Sequence, residues 1–451
     1  MKIAFHTLGC KVNQYESEAL QEKFKASGHI IVSETMPADV YIINTCTVTG
    51  LADRKSRQFI RRLRKLNPDC ILAVIGCYAQ MQPDEIAAME GVNIIAGTNE
   101  KAGLVEIVEN YRINKGIDVH RQAYEALTEF EEIGLPVSMG SRTRAYIKIQ
   151  DGCNRFCSYC VVPYARGNIR SRQRERIINE ANQLIQAGYK EIVLTGINTA
   201  LYGAEYEPKN RRYTGKGLEQ IIADLDSIPG EFRIRLSSLE PTVIDSEMAK
   251  RLLQYKKLCP HFHLSLQSGS DRILKLMKRN YTAKDYLDIV SVLKTHDQGF
   301  AITTDIIVGF PCETDGDFEQ SCSLVGEALF CKVHVFKYSK RKGTLAAEMP
   351  DQVNPAEKSK RSAQLLEIGD QVGKQFLRDQ IGTKRKVLLE EVDSNTGLLS
   401  GFTDNYIRVY LTPADRNPEL WLNTFLEVSL TELYAEGMRG VPTISLEGEA
   451  N

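Results

Sequence analysis

Between residues 144 and 338 the chain repeats one pattern six times, a short apolar run followed by a longer polar, helix-compatible stretch. The runs occupy 144–150, 191–195, 232–237, 261–267, 301–309 and 332–338, and the stretches 173–187, 218–227, 245–255, 283–295 and 315–329 separate them. Alternation of this kind calls for parallel strands joined by right-handed helical crossovers. Six repeats predict a partial (β/α)6 barrel of the TIM type, whose chemistry belongs at the C-terminal ends of the strands. A polar insertion at 202–217 follows the second strand and is long enough to cover a site or contact a partner.

The residues before this series alternate in the same way, with strand-like runs at 2–8, 40–44, 71–75 and 93–96 and helical patterns at 15–26, 53–66 and 83–89. They predict an α/β domain over 1–115 built on a doubly wound parallel sheet. Periodicity fails over 116–143, around Glu129–Glu132, Pro136 and Gly140, which reads as a linker. After a core over 144–375 and a helical segment near 356–380, residues 376–440 become short and β-like, the size of a small β-barrel. A length of 451 residues accommodates three such units. Apolar runs such as 71–79 fall well short of the ~18 residues that span a bilayer, and MKIAFHTLGC holds no apolar stretch of signal length. The expectation is a cytoplasmic chain with no membrane partner.

Eleven cysteines without an export signal make a disulfide framework a poor explanation. Cys153, Cys157 and Cys160 form CxxxCxxC directly after the first barrel strand. Three thiolates on one tight loop can hold three irons of a 4Fe-4S cube and leave the fourth without a protein ligand. Zinc would want a fourth Cys or His, and no His lies between Ser138 and Lys256. Asp151, Gly152, Asn154 and Arg155 give the loop no apolar face on which to bury structural cysteines. Cys10, Cys46 and Cys77 each end a strand of the first domain, where an open parallel sheet binds its ligands. Each alone reads as an ordinary buried cysteine, whereas three at one structural station read as ligands of a second cluster. Cys70, Cys259, Cys312, Cys322 and Cys331 have no partner pattern and are expected to be free.

The segment CNRFCSYC resembles the cluster loop of radical S-adenosyl-L-methionine enzymes, and Tyr159 before the last cysteine also matches. TLGCKVNQYES, VYIINTCTVT, VIGCYAQ and DGCNRFCSYCVVPYARGNIRSR are similar to the methylthiotransferase family. LGCKVN, VVPYARG and HFHLSLQSGSD further resemble its branch acting on threonylcarbamoyladenosine in tRNA. The likeness covers nearly the whole chain and implies an N-terminal methylthiotransferase domain, a radical core and a TRAM-like RNA-binding β-barrel. It implies two 4Fe-4S clusters, one on Cys153, Cys157 and Cys160 that cleaves S-adenosylmethionine to a 5′-deoxyadenosyl radical. The other, on Cys10, Cys46 and Cys77, would carry sulfur, a second S-adenosylmethionine would give the methyl group, and carbon 2 of the modified adenosine beside the anticodon would receive both. The implied partners are tRNA, through its anticodon stem-loop, and an external electron donor, and a monomer is expected.

Other candidates sit at predicted strand ends. Thr195, Gly196, Ser238, Glu240, Gln267 and Asp305 occupy stations that in the family surround S-adenosylmethionine, though strand termination alone could account for any one of them. GFPCET places Cys312 where the family usually has Gly, so a turn needing positive φ would be strained there. With 57 Lys+Arg against 58 Asp+Glu, RNA must be held by local basic patches rather than a global field. Residues 53–66 hold seven Lys/Arg against one Asp, with Arg54, Arg57, Arg61 and Lys65 on one helix face opposite Phe59, Ile60 and Leu63. Arg166, Arg170, Arg172 and Arg174 after the cluster loop, and Lys337, Lys340, Arg341 and Lys342 after the last strand, are expected on the active-site rim. Residues 376–440 carry seven basic and ten acidic residues, so RNA contact there falls to Lys384, Arg385 and Lys386, with Tyr406 and Arg408. Four alternatives stay open: an isopentenyladenosine tRNA substrate, a ribosomal-protein aspartate, a first cluster that only relays electrons with His6 as fourth ligand, and a non-catalytic iron–sulfur RNA binder.

Overall fold

The computed structural model describes residues 1–111, 116–135, 143–207, 213–413 and 417–443. Pro136 and Gly140 of the expected linker, and 208–212 of the insertion, lie outside the described residues.

Six parallel strands form the first sheet: β1 (Lys2–Thr7), β2 (Ile30–Val32), β3 (Val40–Thr45), β4 (Ile71–Gly76), β5 (Ile94–Ala96) and β6 (Asp118–His120), in the order β2-β1-β3-β4-β5-β6. Helices cover both faces, so the central strand β3 is buried at all six positions and shows no alternation. Ile42 turns with Ile75 and Ile94 toward α1 (Lys11–Ala26), while Ile43 turns with Val74 toward Ile60 and Leu63 of α2 (Gly50–Leu66). Strand order reverses between β1 and β3, the switch point where such sheets bind ligands. The edge strands β2 and β6 escaped the sequence pattern: each has three residues and, unlike the equally short β5, none of them is buried. Strand β6 lies within 116–143, so part of the expected linker is sheet.

The expected barrel strands are all present. They are β7 (Arg144–Lys148), β10 (Glu191–Thr195), one strand split into β11 (Arg233–Leu236) and β12 (Ser238–Leu239), β13 (His261–Leu264), β14 (Ala301–Val308) and β15 (Lys332–Lys337), all pairing in parallel. Their crossover helices share a single apolar core with them. A short antiparallel pair, β8 (Gln150–Asp151) with β9 (Arg170–Ser171), closes the base of the loop that carries CxxxCxxC.

The helix Pro355–Asp379 leads to a closed barrel of β16 (Lys384–Val392), β17 (Leu399–Thr403), β18 (Arg408–Leu411), β19 (Phe425–Tyr434) and β20 (Gly437–Pro442). It docks under the N-terminal ends of the core strands. Arg144, first in β7, forks onto Glu390 at 2.7 and 2.5 Å, and Arg233, first in β11, donates to the carbonyl of Phe402 at 3.1 Å. Asn405 donates to the carbonyl of Gly299 just before β14. The small barrel and the cluster loop therefore sit at opposite ends of the core. Among the described residues no helix is long and apolar enough to cross a membrane.

Candidate active site

Cys10 N-caps α1, Cys46 follows β3, and Cys77 opens α3 (Cys77–Met81) directly after β4. Cys10 and Cys46 thus flank the switch point, with Cys77 one strand further on. Backbone geometry packs them closely. Gly9 has φ +106°, and a Cβ there would lie 2.7 Å from the Cys46 Cβ and 3.1 Å from its Sγ. Gly76 has φ +93°, and a Cβ there would meet Asn44 Oδ1 at 2.6 Å and the Thr45 carbonyl at 2.8 Å. Only glycine satisfies both demands. Asn13 ties two of the turns together by donating to the carbonyls of Leu8 at 2.7 Å and Thr45 at 3.0 Å.

The second triad is fixed from the barrel side. The Cys153 amide donates to the Gly167 carbonyl at 3.0 Å, and the Val162 amide donates to Cys160 Sγ at 3.4 Å. Ser158 donates through its amide to the Met277 carbonyl and through its hydroxyl to the Leu276 carbonyl, anchoring the loop to a helix end. Burial, with repulsion from the neighbouring cysteines, pushes the Cys46 and Cys160 thiols up to about 12 and raises Cys77 and Cys153 as well. Such thiols become thiolates only against positive charge, which iron supplies. Two sets of three soft sulfur donors, each set mutually interacting, suit iron–sulfur cubes with an open iron. His6, the candidate fourth ligand, stacks on Phe59 at 3.3 Å between centroids and holds Glu34 through Nδ1 at 2.5 Å.

The strand ends of the two sheets face each other across one interface. A cavity of about 220 Å³ lies there, lined by Val48 and Thr49 from the first domain and by Tyr159, Cys160, Gln267, Asp305, Phe336 and Tyr338, among others, from the core. Of the cofactor candidates, Tyr159, Gln267 and Asp305 therefore converge. Gln267 holds φ +68°, the kind of backbone strain that collects at functional sites. Thr195, Gly196, Ser238 and Glu240 do not line this cavity. The Thr195 carbonyl accepts from the Ile149 amide, Gly196 abuts the Gln150 side chain, and the Ser238 carbonyl accepts from Thr199. Glu240 is held by Arg155 at 2.9 Å and Asn198 at 2.6 Å.

Arg166 corrects the expected RNA surface. It is buried, and donates to Glu16 Oε1 at 2.9 Å, Asn13 Oδ1 at 2.7 Å and both Asp151 oxygens at 3.1 Å. It is the keystone of the contact between α1 and the core, which also includes Lys148 on Glu16 at 2.7 Å, while Lys101 of the first domain reaches the same carboxylate at 3.2 Å. Arg170 and Arg172 are buried beside it, and Arg174 forks onto Asp224, so the expected cationic rim after the cluster loop serves structure instead. Arg341 is likewise occupied, by Asp53 at 2.5 Å and Thr47 at 2.7 Å. In the C-terminal barrel, Arg385 grips Asp297 at 2.9 Å and Lys386 grips Glu231 at 2.5 Å, both toward the core. Tyr406 stacks on Phe402 and lies under Arg235, and Arg408 pairs with Glu391 and Glu436. Lys384 remains exposed. On α2, by contrast, Arg54, Arg61 and Lys65 are exposed along an open groove with Arg57, Gln58 and Arg62, although Arg57 also reaches Glu85.

Sequence reasoning missed Asn13, Glu16, Lys101 and Lys148, which lie on separated segments with no shared spacing, and Val48 and Phe336, two apolar residues with no functional group to single them out. It also missed Arg279, whose Nη1 donates to Cys157 Sγ at 3.3 Å.

Residues 2–97 match the Uncharacterized protein family UPF0004 and residues 147–325 match the Radical SAM superfamily. The chain is 42% identical over 417 residues to the threonylcarbamoyladenosine tRNA methylthiotransferase MtaB of Bacillus subtilis (strain 168), covering 90% of this chain and 89% of that protein. It is 35% identical over 392 residues to the tRNA-2-methylthio-N(6)-dimethylallyladenosine synthase of Carboxydothermus hydrogenoformans, covering 85% and 87%. Among solved structures, the radical S-adenosylmethionine methyltransferase TsrM from Kitasatospora setae, with cobalamin and a 4Fe-4S cluster bound, shares the fold at a TM-score of 0.56 and 15% identity over 77% of each chain. Motifs, fold and relatives agree, and the chain belongs to the radical S-adenosylmethionine tRNA methylthiotransferase family, as a transferase that modifies tRNA using S-adenosylmethionine and 4Fe-4S chemistry.

Proposed function

We propose that this protein places a methylthio group on carbon 2 of N6-threonylcarbamoyladenosine beside the anticodon, using two clusters and S-adenosylmethionine as both radical source and methyl donor. The observation that carries the reading is that both cysteine triads stand at C-terminal strand ends and face one interface, which holds a cavity lined from both sides. When bound, the group on Cys153, Cys157 and Cys160 supplies one-electron chemistry with S-adenosylmethionine, and the group on Cys10, Cys46 and Cys77 supplies sulfur. Polar acid–base chemistry has no foothold on an unactivated aromatic C–H, so the chain's task is to bind, orient and exclude water. Val48 and Thr49 line the cavity together with Cys160, which supports the reading that the sulfur-bearing side meets the radical-forming side there. Arg166 holds the two halves in register through Glu16, Asn13 and Asp151. The exposed ridge of α2 fits the phosphates of an anticodon stem-loop, and the reading includes an external electron donor and a cytoplasmic monomer built from domains over 1–115, 144–375 and 376–440.

Iron, sulfide and EPR measurements on anaerobically purified protein are the first test. About eight irons falling to about four in the Cys153/Cys157/Cys160→Ala variant support two clusters, whereas four falling to none would reduce the protein to one. Cys77→Ala is expected to keep 5′-deoxyadenosine formation while losing the methylthio product, and Cys153→Ala to lose both. Assayed on threonylcarbamoyladenosine tRNA beside isopentenyladenosine tRNA, product on the second substrate alone would overturn the assignment.

A further inference from the structure

Arg279 is a buried arginine whose guanidinium lies beside a cluster cysteine. The helix Asp271–Leu276 ends at Met277, and Lys278 takes φ +60°. The Lys278 amide bonds the Lys275 carbonyl at 3.0 Å and the Arg279 amide bonds the Leu274 carbonyl at 2.8 Å. This paired capping pattern is a Schellman motif with Arg279 at its second outer position. The motif turns Arg279 inward just where Ser158 anchors the cluster loop, and its Nη1 reaches Cys157 Sγ at 3.3 Å. Its surroundings are Glu240, 3.6 Å away, and the Tyr281 ring, 5.4 Å from the guanidinium carbon, with Arg155 on the far side of Glu240.

We propose that Arg279 sets the reduction potential of the iron–sulfur group held by Cys153, Cys157 and Cys160, by donating an N–H···S bond to Cys157 and placing a permanent cation beside it. The proposal rests on the assignment of that loop as ligands. One electron arrives from an external one-electron donor, and the added negative charge is stabilised by the donor bond and by a guanidinium charge little screened by water. No proton moves, because arginine stays protonated throughout. Glu240 opposes the effect by partly cancelling that charge, so the Arg279–Glu240 pair holds the potential at an intermediate value.

The test is an EPR-monitored redox titration of the full-length, iron-reconstituted protein without S-adenosylmethionine, in a Cys10/Cys46/Cys77→Ala background so that one cluster is read. Arg279→Met is expected to make reduction at least tenfold less favourable, a midpoint lower by 59 mV for one electron. Arg279→Lys should fall between that variant and the parent, and Glu240→Gln should move the midpoint upward. Unchanged midpoints in Arg279→Met and Glu240→Gln at full iron content would overturn the proposal. Should Arg279→Met fail to hold iron, an unmoved or lowered midpoint in Glu240→Gln would overturn it. A parent without iron would instead remove the ligand assignment itself.

Discussion

Cys312 takes φ +65°, a left-handed conformation in which its Cβ crowds the backbone, and its Sγ makes only distant contacts, with the Pro350 carbonyl at 3.6 Å and Asp351 Oδ2 at 4.0 Å. Cys312→Gly should therefore stabilise the protein by about 1 kcal/mol, the strain removed outweighing the entropy that glycine adds to the unfolded chain. A urea melt at constant m-value is the check. Gly76→Ala should act oppositely, because a Cβ 2.6 Å from Asn44 Oδ1 displaces the turn that presents Cys77. Iron content is expected to fall by about four per chain there while the CxxxCxxC loop keeps its own. At this scale the cysteines and their preceding glycines were legible in the sequence, since each motif is contiguous. Arg166 was not, because the three side chains that accept its hydrogen bonds, two of them carboxylates, lie 150, 15 and 153 residues away.

The helix α2 shows what one element reveals unaided. Thr49 caps it through the Ala52 amide, Ile60 and Leu63 pack on the sheet, and the opposite face carries Arg54, Arg61 and Lys65 into solvent. Replacing those three with Ala should weaken tRNA binding and flatten its logarithmic salt dependence by about two to three, at roughly 0.7–0.9 for each phosphate that is no longer neutralised. Anisotropy titrations across a salt series would measure it, and an unaltered slope would remove α2 from the interface. Arg385→Ala should leave that slope unchanged and lower thermal stability instead, because Arg385 pins β16 to Asp297. Periodicity could not separate these cases. Both are cationic stretches on amphipathic elements, and only the neighbour on the other side decides which is solvated.

Across the whole molecule, the first domain and the core are joined by buried charge. Burial alone would push the Glu16 and Asp151 carboxyls up, but Arg166 and Lys148, with Lys101 beside Glu16 and Arg170 beside Asp151, hold both well below the usual carboxylate range. Carboxyls depressed in the folded state bind fewer protons than in the unfolded chain, so stability rises with pH through that window. The contribution is complete above about pH 5 and is lost progressively as pH falls from there through the strongly depressed folded-state values. Scattering and thermal melts should show the two halves separating in acid before the core unfolds. Arg166→Met at neutral pH should mimic this, costing roughly 3–5 kcal/mol by leaving two buried carboxylates short of a cation.

The parallel sheets, the six core strands and the six cysteines at strand ends could all be read from residue order, because strand period, helix period and motif spacing are local properties of a contiguous chain. The position of the loop carrying Cys153, Cys157 and Cys160 at the C-terminal strand ends of the core was legible too, since it follows from strand direction alone. Which charges are free was settled only by folding. The fold buried Arg166 against Glu16, turned Arg385 toward Asp297, set the small barrel beneath the core rather than beside the cluster loop, and aimed Arg279 at Cys157. Those outcomes depend on partners distant in sequence, and a charge reads the same in sequence whether it meets water, phosphate or a buried carboxylate.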